Sequence, residues 1–79
     1  MSVDFLEERL KLLAYYDRYG VLLKDAGARM FQAYYEEDLS LTEIAESFGL
    51  TKQGVSDSLR RSKEQLLRFE EQMHLVERE

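Results

Sequence analysis

The stretch LSLTEIAESFGLTKQGVSDSLRR, Leu39 to Arg61, reads as a helix, a glycine turn and a second helix, and nothing else in the chain limits the fold as tightly. Ser40 followed by Glu43 has the form of a capping box, in which the Ser hydroxyl accepts from the Glu43 amide and the Glu43 carboxylate accepts from the Ser40 amide. A helix therefore starts at Leu41. Leu41, Ile44, Ala45 and Phe48 fall three and four apart and line one face of it. Gly49 supplies the left-handed conformation that ends this helix, and Thr51 is a natural N-cap for the next, with Val55 and Leu59 as its inward stripe. Ala45 permits a close, steep crossing, and Leu50 is expected to fill the wedge between the two helices. A pair of this kind over about residues 40 to 62 is a helix-turn-helix, whose second helix can enter the major groove.

The flanking sequence also reads as helix. No proline, internal repeat, low-complexity stretch or alternating β-branched run occurs, so the spacing predicts an all-α, four-helix domain spanning residues 1 to 79. The first helix is expected from about Asp4 to Tyr19, capped by Ser2 or Asp4. Its apolar face would be Phe5, Leu6, Leu10, Leu12, Leu13 and Tyr16, with Gly20 either breaking it or letting it run on through Leu23. Asp25 is the expected N-cap of a helix from Ala26 to about Glu37, with Met30, Phe31, Ala33 and Tyr34 inward. The last helix has no interruption from Lys52 to about residue 76 or 77, some 25 residues or roughly 37 Å. Val55, Leu59, Ser62, Leu66, Phe69, Met73 and Val76 keep a repeat of about 3.5 residues along it, the period of a coiled-coil seam. The stripe either closes the monomer core on the first helix or serves a dimer. Both hold if its first half is internal and Leu66, Phe69, Met73 and Val76 meet a second copy.

Seventy-nine residues make a single small domain, whose core gains from oligomerisation or a partner. Cysteine is absent, which removes disulfides, thiolate chemistry and cysteine-based zinc sites together. No apolar run approaches the roughly 20 residues of a membrane span, and the acidic, amphipathic N-terminus MSVDFLEERL is not a signal peptide. Catalysis has little to draw on. The one histidine, His74, lacks a second ligand, the serines lack a base, and the four glycines form no phosphate loop. Glu36, Glu37 and Asp38 read as a solvated acid cluster, and the five tyrosines as core residues with wet hydroxyls. No enzyme activity and no cofactor are expected.

The net charge of −5 is awkward for a nucleic-acid binder, because phosphate contacts drive such binding. The charge is unevenly spread, however. Residues 36 to 46 carry Glu36, Glu37, Asp38, Glu43 and Glu46 without a base, whereas residues 51 to 63 carry Lys52, Arg60, Arg61 and Lys63 against Asp57 alone. With Val55 and Leu59 inward, Lys52, Gln53, Ser56, Asp57 and Arg60 point outward as a cationic ridge. Gln53 suits adenine, Lys52 or Arg60 guanine, and Thr51 and Arg61 phosphates. Asp57 would repel phosphate unless it accepts from cytosine or pairs with Arg60 or Arg61. Gly54 leaves a smooth surface for close approach.

At these residues the segment SLTEIAESFGLTKQGVSDSLRRSKEQL is similar to the fourth region of bacterial sigma factors, in which a matching helix-turn-helix reads a promoter element. The whole chain more closely resembles the YlxM family of small bacterial helix-turn-helix proteins. The likeness lies in Tyr15–Tyr16, LLKD (Leu22 to Asp25), QAYYEEDLSLTEIAESFG (Gln32 to Gly49), the TKQGVSD run and RFEEQMHL (Arg68 to Leu75). That family is named for genes beside those of the signal recognition particle, and is proposed to act with that pathway or as a regulator. The resemblance implies a cytoplasmic, non-enzymatic, dimeric protein facing DNA or RNA with Thr51, Lys52, Gln53, Ser56, Arg60 and Arg61, beside which Lys63 extends the basic cluster. Two such helices about 34 Å apart would match successive major grooves. The alternative is a protein-interaction module that keeps the helix-turn-helix as scaffold and offers its acidic residues to a basic partner.

Overall fold

The structure is a computed structural model that describes the backbone of residues 3–76 and side chains from residue 6 onward; Ser2, expected as a cap, and the side chains of Asp4 and Phe5 lie outside the described residues. Four helices follow one another: α1 (Val3–Tyr19), α2 (Asp25–Tyr35), α3 (Leu41–Phe48) and α4 (Lys52–Met73). A 3-10 turn over Gly20–Leu22 separates the first two, so Gly20 does break α1. No strand occurs among the described residues, and the fold is all-α.

The helix-turn-helix forms as its sequence dictates. Ser40 Oγ accepts from the Glu43 amide at 3.1 Å, and Glu43 Oε1 accepts from the Ser40 amide at 2.9 Å. Gly49 takes φ 68°, ψ 34° and closes α3, after which the Leu50 amide donates back to the Ala45 carbonyl at 2.8 Å. Thr51 Oγ1 then accepts from the Gly54 amide at 3.0 Å and opens α4. Leu50 does not fill the expected wedge. It emerges from the left-handed turn 45% exposed, while Ile44, Ala45 and Val55 occupy the core.

Two expectations for the first half need correction. Asp25 is the first helical residue of α2 and not its cap; Lys24 holds the cap position with no side-chain bond. An acid in the first turn still opposes the positive end of the helix. On α1 the buried face runs through Leu12, Tyr15 and Tyr19, in steps of three and four, while Leu6 and Leu10 are exposed. The inner face follows the tyrosines because aromatic packing continues from them. Tyr16 stacks on Phe31 at 4.9 Å, Phe31 on Tyr35 at 4.4 Å, and Tyr19 lies 6.0 Å from Phe69. Arg9 donates to the Tyr35 carbonyl and to Asp38, which has a positive φ of 57°, and so ties α1 to the turn between α2 and α3.

The last helix is shorter than its apolar repeat suggests. Its 22 residues span about 33 Å, within the 38 Å length of the molecule. His74 takes a left-handed conformation at φ 54° and turns the chain back. The reason is a buried polar cluster. Glu70 is only 3% exposed, and its Oε1 accepts from the Tyr19 hydroxyl and, at 3.1 Å, from the Val76 amide; the Leu75 amide donates to the Tyr19 hydroxyl at 3.0 Å. Burial and the bond to Glu70 hold the Tyr19 phenol above its ordinary pKa, so it stays a protonated donor at neutral pH.

This fold-back decides where the residues expected at a dimer seam lie. Leu66 is wholly buried in the monomer core, Phe69 and Val76 are half-buried against it, and Met73 is exposed. Removing the Tyr19 hydroxyl leaves the Leu75 amide and Glu70 each short of a partner. Tyr19→Phe is therefore expected to speed hydrogen exchange at the Leu75 amide and lower the urea midpoint; unaltered exchange would contradict the fold-back. Gly49→Ala, at a positive φ, is expected to cost about 1–2 kcal/mol in urea unfolding.

Candidate nucleic-acid interface

Four rows of side chains run along α4, and the core fixes which faces outward. Val55, Ser58, Leu59, Ser62, Leu66 and Glu70 are buried. The opposite crest, at helical spacing, is Gln53, Asp57, Arg60 and Glu64. Those four form a continuous string. Gln53 Nε2 donates to Asp57 Oδ1 at 3.0 Å, Arg60 Nη2 lies 3.5 Å from the same oxygen, and Arg60 Nε lies 3.9 Å from Glu64. The expected cationic ridge is thus exposed but alternates amide, acid, cation, acid. Its single guanidinium is shared between two carboxylates.

The other basic residues occupy the flanks. Lys63 is half-buried toward α1, where it pairs with Glu8 across 55 positions of sequence. The hydrogen bond to Lys63 pulls the Glu8 carboxyl below its ordinary value, and the same bond raises the Lys63 ammonium. Arg61 lies on the other flank, bordering a groove with Lys24, Gly27, Leu50 and Gly54. Arg61 and Lys52 are exposed and have no ion-pair partner among the described residues. Ser56 is exposed beside Arg60 in a shallow cleft reaching Tyr34 and Leu41. Thr51, also exposed, spends its hydroxyl on the helix cap. Gly54 serves that cap as well, since a Cβ there would lie 3.2 Å from Thr51 Oγ1.

Sequence spacing brings Gln53, Asp57, Arg60 and Glu64 together and could have revealed the whole string, since each link is three or four residues long. Nothing local signals Glu8 as the partner of Lys63. Elsewhere the described residues hold no group of three or more metal-ligating side chains, and His74 sits exposed at the end of α4. No helix among them is long and apolar enough to cross a membrane.

A capped helix, a left-handed glycine turn and a second helix with a solvent-facing crest define a helix-turn-helix protein. Residues 6–79 match the family described as "Putative helix-turn-helix protein, YlxM / p13 like", and the chain belongs to that family. A UPF0122 protein of Thermoanaerobacter sp. strain X514 is 44% identical over 78 residues, which cover 99% of this chain and 63% of the relative. A UPF0122 protein of Mycoplasma capricolum is 37% identical over 76 residues, covering 96% and 67% respectively. The chain thus spans about 63% of the length of the Thermoanaerobacter relative.

The Glu8–Lys63 pair yields a titration test. A depressed carboxyl stabilises the fold above its ordinary value of 4.5 and loses that contribution as pH falls through the lowered value. A raised ammonium contributes below its ordinary value of 10.5 and loses the contribution as pH rises through the raised one. Carboxyl NMR should place the Glu8 midpoint below 4.5, and Lys63→Gln should move it up toward 4.5; an identical midpoint in both proteins would rule the pair out.

Proposed function

We propose that the chain is a nucleic-acid-binding regulator that sets the first three turns of α4 against duplex DNA. In this reading Lys52, Gln53 and Ser56 face base edges, and Thr51, Arg60 and Arg61 face the phosphates on either side. One observation carries it: the outer surface of α4 from Lys52 to Arg61 stands in solvent, while Val55 and Leu59 anchor the same turns in the core. Lys63 contributes little, because Glu8 already neutralises it.

Affinity per chain is modest in this account. Lys52 and Arg61 are the cations of α4's first three turns without an acidic partner among the described residues, and the net charge is −5. Pairing two chains, or riding on a nucleic-acid-bearing complex such as the signal recognition particle, would raise the effective concentration of a weak site. A homodimer would hold its two copies of α4 so that both reach one duplex. The compensated crest and the exposed acids Glu36, Glu37, Asp38, Glu43 and Glu46 favour a second reading, a scaffold that docks a basic protein.

Fluorescence anisotropy with a labelled duplex, repeated across a salt titration, separates the two. Lys52→Ala and Arg61→Ala should each flatten the slope of log affinity against log salt by about 0.9, the effect of one phosphate contact, and Lys63→Ala should barely move it. Slopes unaltered in the Lys52→Ala/Arg61→Ala double variant would refute docking through α4. Loss of a basic protein partner in Glu36→Lys/Glu37→Lys, with DNA binding absent from the start, would establish the second reading instead.

A further inference from the structure

We infer that Asp57 is a positioning residue which orients the Gln53 amide on the crest of α4 and thereby gives the helix a preference for adenine. The inference rests on the reading of α4 as a groove-binding helix. Gln53 Nε2 donates to Asp57 Oδ1 at 3.0 Å, and Arg60 Nη2, at 3.5 Å from the same oxygen, steadies the carboxylate from its other side. An ionised carboxylate only accepts, so it selects one of the two amide orientations; with the amide turned over, Gln53 Oε1 would face a negative oxygen. One N–H of Gln53 is thus committed to Asp57. Its second N–H and its Oε1 remain for a partner.

An N–H and an oxygen side by side match one base edge in the major groove. Adenine offers N7 as acceptor and its N6 amino group as donor, the complement of what Gln53 retains. Guanine offers two acceptors, N7 and O6, so Oε1 would meet an acceptor there. Asp57 itself adds a negative charge one turn from Gln53, which penalises phosphate and acceptor-only edges alike. An acid in the middle of a recognition surface thereby exchanges non-specific affinity for selectivity. Without Asp57 the amide rotates freely, and the first turn of α4 becomes a general polar surface beside Lys52.

The test is site selection from a duplex pool with a randomised core, using the full chain and three variants. The wild-type chain should enrich adenine at one position, and Gln53→Ala should abolish that enrichment. Asp57→Ala should weaken the adenine preference by about twofold or more, the scale of a Gln–Asp pair one turn apart. Its affinity for the unselected pool should hold or rise, because an acid near the phosphates is gone. Asp57→Glu keeps an acceptor-only carboxylate within reach of Gln53 and should retain the preference, whereas an Asn there would offer an N–H to Gln53 Oε1 and admit either amide orientation. An adenine preference unmoved by Asp57→Ala, or equally lost in Asp57→Glu, overturns the inference, as does wild-type binding without any base preference. In that last case DNA docking through α4 still stands. If the wild-type chain retains no duplex at all, the underlying reading falls first, and the two failures are told apart.

Discussion

The rotation of α4 about its own axis is the constraint on which the molecule depends. All three other helices pack on α4, and its inner line of Val55, Leu59, Ser62 and Leu66 is buried among them. Small residues set how closely it approaches: a Cβ on Gly27 of α2 would stand 3.2 Å from Ser62 Oγ, and Ala45 of α3 is buried in the same core. Each fully buried Val or Leu contributes about 1.5–3 kcal/mol, whereas exposed ion pairs contribute about 0–1 kcal/mol. The core therefore decides which residues face solvent, and Gln53, Asp57, Arg60 and Glu64 must settle among themselves on the side it leaves free.

Where the apolar stripe ends, polar chemistry takes over. Glu70 falls at the next inward position after Leu66, one turn on, and a carboxylate there needs donors. Tyr19 and the Val76 amide supply them, and a left-handed His74 lets the chain return to do so. Of the apolar residues that continue the repeat, Phe69 and Val76 are thereby drawn against the monomer core, while Met73 stays exposed. One helix thus has two characters, its first turns open to solvent and its last turns closing the core. Lys52 and Arg61 flank the open part, Arg60 is held between acids on its crest, and an acid is buried at the other end.

Much of this was legible in the chain. The Ser40–Glu43 box, Gly49 and Thr51 act through bonds within four residues, so local sequence carries them fully. The seam was legible as a stripe but not as an end point, because Glu70 satisfied by Tyr19 lies 51 residues from its partner. The face of α1 was misjudged for a related reason: leucines outrank tyrosines in apolar character, yet the rings of Tyr15 and Tyr19 fill the space opposite α4. On the candidate surface, spacing placed Lys52, Gln53, Ser56, Arg60 and Arg61 in solvent. The Asp57–Arg60 pair was legible too, at three residues' spacing, whereas the neutralisation of Lys63 was not, since Glu8 reaches it only through the tertiary fold.

In the proposed reading the outer face of the first turns of α4, and no other surface, meets the nucleic acid. Amide chemical-shift mapping of the labelled chain during titration with duplex DNA addresses it directly. Perturbations gathered on Thr51 to Arg61, with the acidic segment 36–46 and the exposed α1 residues Leu6 and Leu10 unmoved, are expected if α4 carries the contact. Shifts centred on either of those other surfaces, with α4 silent, would contradict it.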